Sequence, residues 1–143
     1  MSLQRKQIIG LLFVLALAIF LIFYFSNTNT VPENEFIKIS NVKAGQTIVS
    51  PLLIKGTVTG GRWSGFEGQV GRVELVESGN ILGVAPLMAT SDFMKFPTSF
   101  EAILTFNNPN GKNFTLVFHN ENPSGLAEYE EVMTLPVRIF INK

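Results

Sequence analysis

The chain has no cysteine and a single histidine among its 143 residues. Without cysteine it can form neither a disulfide bridge nor a thiolate metal site, and its N-terminus cannot carry a lipid on cysteine. A structural zinc site would need carboxylates for nearly all of its ligands, which zinc rarely accepts. Stability must therefore come from side-chain packing, and we expect neither zinc nor any other cofactor.

The sequence also lacks the patterns of nucleic-acid binding and of catalysis. Basic and acidic residues number eleven each and form no basic stripe, which excludes a nucleic-acid partner. No Gly-x-Ser-x-Gly motif supports a nucleophilic serine. A Ser-His-Asp set can be drawn from Ser124, His119 and Asp92, but we interpret His119 as a half-exposed structural residue. The sequence predicts a protein that is not an enzyme.

One long apolar run, residues 8–25, stands out from the rest of the chain. As a helix with a rise of about 1.5 Å per residue it would be roughly 27 Å long, close to the roughly 30 Å hydrocarbon core of a bilayer. Arg5 and Lys6 precede the run, and the next basic residue is Lys38. By the positive-inside rule we predict a cytoplasmic tail at residues 1–7, one transmembrane helix in the cell membrane, and an extracytoplasmic remainder.

A cleaved secretory signal peptide is the alternative interpretation of this segment, because it also has a basic start and an apolar middle. The run exceeds the roughly 7 to 15 apolar residues of a signal peptide. In addition, residues 24–28 offer no pair of small residues to a peptidase. Both features favour an uncleaved anchor.

The remaining sequence predicts a β-rich domain behind a spacer. Residues 26–35 are polar and contain a proline, as in a flexible linker. Over residues 36–143, apolar residues recur with period two in short runs separated by Gly, Pro, Asn and Ser, which is typical of an all-β sandwich or barrel. We predict about seven strands, the first of them split: 36–40 with 47–49, 52–59, 69–77, 81–89, 98–106, 114–118 and 132–141.

The alternation also assigns the faces of these strands. The strand at residues 98–106 alternates most cleanly and is expected to be central, with Phe106 facing inward and Glu101 facing outward. Pro86 and Pro136 cannot donate to a ladder, so each predicts a sheet edge or a bulge. The predicted inward residues are Leu52, Ile54, Val58, Val73, Leu75, Phe100, Ala102, Leu104, Phe106, Phe114, Leu116 and Phe118.

Four pieces of the chain occur in the order found in one known family. They are Ser-Pro-Leu with Ile-Lys-Gly (50–56), Trp63 to Glu67, Phe100 to Phe106, and Asn-Pro-Ser-Gly (122–125) followed by acidic residues and Leu-Pro-Val (135–137). Over residues 36–141 the chain resembles Gmad2, the immunoglobulin-like domain of bacterial spore germination. The resemblance implies an immunoglobulin-like β-sandwich that serves as a binding or scaffolding module of the cell envelope. The family's tryptophan usually stands next to a pair of aromatic residues and a glutamate, whereas here a glycine loosens this motif between Trp63 and Glu67.

The loop at residues 60–68 is the leading candidate for a binding site. Its four glycines permit positive φ angles and close backbone approach. Trp63 and Phe66 either close the end of the core or stack on a ligand, with Arg62 and Glu67 beside them. Closing the core is the favoured role, because a tryptophan is more often buried than exposed.

The densest acidic group follows the Asn-Pro-Ser-Gly turn. Glu128, Glu130 and Glu131, together with Glu121, are weak candidates for calcium ligands. The Asp-x-Asp-x-Gly spacing of a calcium loop is absent, so a solvated acidic loop is the favoured interpretation.

These observations predict a non-catalytic interaction module, anchored in the membrane and displayed outside it, that binds another envelope protein or a cell-wall polymer. The alternative is a carbohydrate-binding module, which requires Trp63 and a neighbouring aromatic side chain to be exposed. A third hypothesis, a glycoside hydrolase, requires two carboxyl groups about 5 to 9.5 Å apart in a cleft.

Overall fold

The computed structural model describes residues 34–107 and 113–140, which form an all-β domain. Within these residues the regular structure comprises eight strands and one turn of 3₁₀ helix at Ala127–Tyr129. The strands are β1 (Ile37–Ile39), β2 (Thr47–Ile48), β3 (Leu52–Val58), β4 (Gln69–Glu77), β5 (Asn80–Ala89), β6 (Thr98–Leu104), β7 (Phe114–Asn120) and β8 (Val132–Ile139).

The segments predicted to precede the domain fall mostly outside the described residues. This applies to the cytoplasmic tail at 1–7, the transmembrane helix at 8–25 and residues 26–33 of the linker. Across residues 34–107 and 113–140, none of the helical structure is long and apolar enough to span a bilayer.

Asn34 and Glu35, which the sequence pattern places in the linker, are hydrogen-bonded to the domain. The Asn34 side-chain amide donates to Glu131 Oε1 at 2.9 Å, and Asn34 Oδ1 accepts from the backbone N–H of Phe36 at 2.9 Å. The hydroxyl of Thr59 donates to the carbonyl of Glu35 at 3.3 Å. The chain is therefore tied to the sheet from Asn34 onward.

The strands form one curled, mixed sheet in the order β1-β3-β6-β5-β4-β7-β8-β2. Neighbouring strands are antiparallel except β2 and β8, which are parallel. Strand β6 lies between two neighbours, β3 and β5, as expected for the strand with the cleanest alternation.

The predicted split first strand is two separate strands at opposite ends of the sheet, which makes eight strands where about seven were expected. Just after β1, Ser40 donates its backbone N–H to the carbonyl of Lys55 in β3 at 2.9 Å. Just before β2, Gly45 donates its backbone N–H to the carbonyl of Pro136 in β8 at 2.8 Å. Gly45 has a φ angle of 74°, which glycine adopts without strain, and this turn carries the chain from one end of the sheet to the other.

One face of each strand is buried in a single hydrophobic core. Eleven of the twelve predicted inward residues are buried and the twelfth, Leu52, is partly buried against the core, which confirms the assigned faces. Gly56 lies in the middle of β3, where a Cβ atom would collide with the ring of Phe100. A glycine at this position lets the aromatic ring fill the core at the density typical of protein interiors.

Each of the two prolines lies in a part of its strand that one of the two neighbouring ladders does not reach. Pro86 of β5 pairs with Arg72 of β4, and the ladder from β5 to β6 joins only Met88 and Ala89. A register shift between Gln69 and Gly71 of β4 lies close to this position. Strands β5 and β8 are interior in the sheet order, so the expectation of an edge strand is wrong for both, and only Pro86 lies near a bulge. Pro136 is tolerated inside the sheet because the β2–β8 ladder begins beyond it, at Arg138, and Gly45 bonds only its carbonyl.

Stability should depend on Phe106 far more than on its near neighbour Glu101. Phe106 is 5% exposed, and Phe106→Ala should lower the free energy of unfolding by about 3 to 5 kcal/mol, because it leaves a cavity in the core. Glu101 forms an ion pair with Lys55 at 2.7 Å, and both side chains are a little under half exposed. Its replacement by alanine should cost less than about 1 kcal/mol. Thermal unfolding of the full chain in mild detergent measures both variants, and equal losses would contradict the assigned faces.

Candidate functional site

Two loops meet at one end of the curled sheet, the β3–β4 loop (59–68) and the β7–β8 loop (121–131). The buried side chain of Asn120, the last residue of β7, joins them. Its amide N–H groups donate to the carbonyl of Arg62 at 2.9 Å and to the carbonyl of Tyr129 at 3.0 Å. Its Oδ1 accepts from the backbone N–H of Glu131 at 2.7 Å. Asn120 is 3% exposed, so these bonds satisfy a polar group that burial would otherwise penalise.

Above Asn120 the two loops line a shallow, open pocket of about 290 Å³. The guanidinium carbon of Arg62 lies 5.5 Å from the centre of the Tyr129 ring, within the range of a cation–π contact. Across residues 34–107 and 113–140, Arg62 is in no ion pair with a carboxylate. The pocket is lined by Arg62, Ser64, Asn120, Glu121, Asn122, Pro123, Ser124 and Tyr129.

The Asn-Pro-Ser-Gly turn forms one rim of this pocket. The Asn122 side chain donates to the carbonyl of Leu126 at 2.9 Å and accepts from the hydroxyl of Ser124 at 2.6 Å. Gly125 has a φ angle of 67° and donates its N–H to the carbonyl of Asn122 at 3.1 Å. The rim is thus held by hydrogen bonds within the turn, and its shape does not depend on a ligand.

The four residues singled out in the β3–β4 loop take different positions. Arg62 lines the pocket, whereas Trp63 is fully buried and belongs to the core. Phe66 and Glu67 are exposed at the tip of a tight turn, in which Glu67 and Gly68 have φ angles of 51° and 85°. A buried ring cannot stack on a ligand, so Trp63 closes the core as favoured, and Arg62 is the member of the set that faces the pocket.

Sequence reasoning did not find Asn120 and Tyr129. A signal for Asn120 was present, since it continues the inward alternation of Phe114, Leu116 and Phe118 and puts an amide where an apolar side chain is expected. Tyr129 carries no comparable signal, because its place beside Arg62 depends on the path of two loops that are distant in sequence.

His119 points away from the core into a group of charged side chains. Its Nδ1 lies 2.8 Å from Glu130 Oε1, and its Nε2 lies 3.4 Å from Glu74 Oε2. Arg72 donates to Glu74 at 3.0 Å and lies 3.9 Å from Glu130. Only the contact with Glu130 is a hydrogen bond, and His119 Nε2 is buried without a hydrogen-bond partner among the described residues. Ser124 bonds within its own turn.

The acidic residues proposed as weak calcium ligands have separate partners. Glu130 contacts His119, Glu131 accepts from Asn34, and Glu121 accepts from Gln69 at 2.8 Å, while Glu128 is exposed on the 3₁₀ turn. In the part of the chain that the structure describes, no group of three or more His, Asp and Glu side chains is arranged to hold a metal ion.

Comparison of the chain with protein-family models, with curated proteins and with solved structures finds no match. The resemblance to Gmad2 therefore rests on the sequence motifs alone.

Trp63 provides a direct test of the core-closing role, because it is the only tryptophan of the chain. Its exposed fraction is 0%, so acrylamide should quench its fluorescence several-fold less in the folded protein than in the same protein unfolded in urea. Equal quenching in the two states would place the ring in solvent.

Replacing Asn120 should destabilise the domain through the loops that it joins. Asn120→Ala leaves the two carbonyls and the backbone N–H unpartnered at a buried position, and the free energy of unfolding should fall by about 3 kcal/mol. Asn122→Ala is the matched control, because Asn122 bonds only within its own exposed turn, and it should cost about 1 kcal/mol or less. Chemical denaturation of the full chain compares the two, and an equal loss would contradict the joining role of Asn120.

Proposed function

We propose that this protein is a membrane-anchored, extracytoplasmic, immunoglobulin-like module of the Gmad2 type that binds and does not catalyse. Its ligand is an acidic segment of another envelope protein, which inserts a carboxylate into the pocket beside Arg62 and Tyr129. The single observation that carries the proposal is an arginine stacked on an exposed tyrosine, at the mouth of a preformed pocket and without a carboxylate partner among the described residues.

The strand order supports the immunoglobulin-like part of the proposal. Strands β1, β3 and β6 are consecutive in the sheet, as are A, B and E in an immunoglobulin domain. Strands β5, β4, β7 and β8 correspond in the same way to C′, C, F and G. A buried tryptophan, Trp63, lies just ahead of β4, near the place of the core tryptophan of such domains.

The chemistry of the pocket supports an acidic ligand. A guanidinium group offers five N–H donors in a planar fork that matches a carboxylate, and Arg62 has its fork available beside an aromatic face. Glu121, the acidic residue of the lining, is already bonded to the Gln69 side chain at 2.8 Å. The volume of about 290 Å³ lies at the lower end of ligand pockets and suits one or two residues of a longer chain.

Membrane anchoring rests on the apolar run at residues 8–25 with Arg5 and Lys6 before it. Together they support a cytoplasmic N-terminus and a domain displayed on the other side of the membrane. The binding loops would then meet proteins and polymers of the envelope, which is the setting that the resemblance to Gmad2 implies.

A cell-wall polysaccharide is the second candidate ligand. Tyr129 is 48% exposed and is surrounded by the polar side chains of Ser64, Asn122 and Ser124, a combination suited to a sugar ring. In this form of the carbohydrate-binding hypothesis Tyr129 replaces Trp63 as the stacking residue, because the ring of Trp63 is buried.

The proposed function is tested by cross-linking in native membranes with matched arginine variants. Arg62→Ala should reduce the yield of a cross-linked partner protein about tenfold, which corresponds to about 1.4 kcal/mol. Arg138→Ala, at an exposed position on β8, should leave the yield unchanged. Binding to purified wall polymer that Tyr129→Ala abolishes would favour the polysaccharide. A partner yield unaffected by both Arg62→Ala and Tyr129→Ala would contradict a binding role for the pocket.

A further inference from the structure

The chain enters the domain at the end that carries the pocket. The side-chain amide of Asn34 donates to Glu131 Oε1 at 2.9 Å, and Glu131 donates its backbone N–H to Asn120 Oδ1 at 2.7 Å. One residue, Glu131, thus connects the entering chain to the side chain that joins the two pocket loops.

A second set of contacts ties the entering chain to the β3–β4 loop. The backbone N–H of Thr59 donates to the carbonyl of Phe36 at 2.8 Å. The ring of Phe36 packs against Gly61, where an added Cβ atom would lie 2.6 Å from the ring. Arg62 follows Gly61 directly, and consecutive Cα atoms are about 3.8 Å apart. The entering chain therefore lies beside both loops that line the pocket.

The turn between β4 and β5 lies at the other end of the domain. Asn120 pairs with Gly71 near the start of β4, whereas Asn80 pairs with Glu77 at the end of β4. The strand rises about 20 Å between Gly71 and Glu77, at about 3.4 Å per residue. Asn80 is consequently remote from both the pocket and the point where the chain enters.

The length of the sequence before Asn34 limits how far the pocket can lie from a bilayer. The apolar run that the proposed function assigns to the membrane ends at Phe25. A fully extended chain from Phe25 to Asn34 spans at most about 30 Å, a limit set by covalent geometry alone. Because the pocket lies beside the entry point, an anchored chain keeps it in a zone near the membrane surface.

The pocket itself favours a partner that is confined to the same zone. It is shallow and open, with a volume of about 290 Å³, so it surrounds little of a ligand and supports only modest affinity. A partner held in the same membrane is present at a high effective concentration, which compensates for a weak single contact. A soluble protein or a distant polymer has no such advantage.

We propose that the partner is an integral membrane protein, and that the carboxylate bound beside Arg62 belongs to an acidic segment directly adjoining its membrane-spanning part. This inference rests on the proposed function, because it names the partner of the same pocket. It requires the pocket to stay close to the bilayer, whereas a soluble envelope protein or a wall polymer imposes no such requirement.

Moving the domain away from the membrane tests this partner. Eight Glu-Ala-Ala-Ala-Lys repeats, inserted directly after Phe25, add a semi-rigid helix of about 60 Å. Even with the following residues stretched back, the pocket then stays roughly 30 Å from the bilayer. The yield of the cross-linked partner in native membranes should fall at least tenfold. A Gly-Ser spacer of equal length is the matched control, and it should keep the yield within about threefold, because its mean reach grows only as the square root of its length.

The outcomes separate this inference from the function on which it rests. A yield that Arg62→Ala lowers but the rigid spacer does not would overturn the membrane-proximal partner and leave the pocket as a binding site for a soluble protein or a polymer. An equal loss with both spacers would also overturn it. A yield that Arg62→Ala does not change in the chain without a spacer would overturn the pocket and this inference together.

The position of the pocket end is measured without any partner. Because the chain has no cysteine, Ala127→Cys on the exposed 3₁₀ turn and Asn80→Cys at the opposite end each accept a single fluorescent donor. The full chain is reconstituted into phosphatidylcholine vesicles that contain an acceptor-labelled lipid. Energy transfer should be greater from position 127 than from position 80. Equal transfer or the reverse order would overturn the inference, and a chain that does not remain in the vesicles would contradict the anchor as well.

Discussion

Burial of one face of every strand in a common core is the constraint on which the rest of the structure depends. The chain has no disulfide bridge to stabilise it, and each fully buried Val, Leu, Ile or Phe contributes roughly 1.5 to 3 kcal/mol. Period-two alternation therefore fixes the register in which each strand pairs, because shifting a strand by one residue would expose all of its apolar side chains. Gly45 and Gly56 serve the same core, one by turning the chain between sheet ends and the other by making room for Phe100.

The candidate binding site begins where this core ends. Asn120 occupies the last inward position of β7, and its side chain bonds the backbone of both loops that form the pocket. The residue before it, His119, faces outward and contacts Glu130 of the β7–β8 loop. That loop is consequently held from both sides of β7. A pocket fixed in this way needs little ordering when a ligand enters, which favours binding by a small domain.

Two arginines of similar chemistry serve two different surfaces. Arg72 is engaged by Glu74 of the same strand, β4, so its charge is compensated where it lies. Arg62 stacks on Tyr129 in the loops, and no carboxylate compensates it among the described residues. An arginine without a carboxylate partner suits a site for an acidic group.

Much of the fold was predictable because alternation is a local property of the sequence. Residues such as Ile54, Val73 and Phe106 were assigned to the core from their spacing alone, and the strand limits follow from the Gly, Pro and Asn residues between the runs. The prolines were less informative, because Pro86 and Pro136 lie in interior strands where a neighbouring ladder stops short of the residue that lacks an N–H.

The sequence by itself determined the all-β class and the inward face of each strand, and it identified Arg62 as a candidate binding residue. Only the tertiary structure decided that β1 and β2 lie at opposite ends of the sheet, that Trp63 is buried, and that Asn120 and Tyr129 line the pocket with Arg62. The physical reason is the range of the interactions. The pattern of side chains along one strand is local, whereas Asn120 and Arg62 are 58 residues apart in sequence and meet only when the sheet closes on its core.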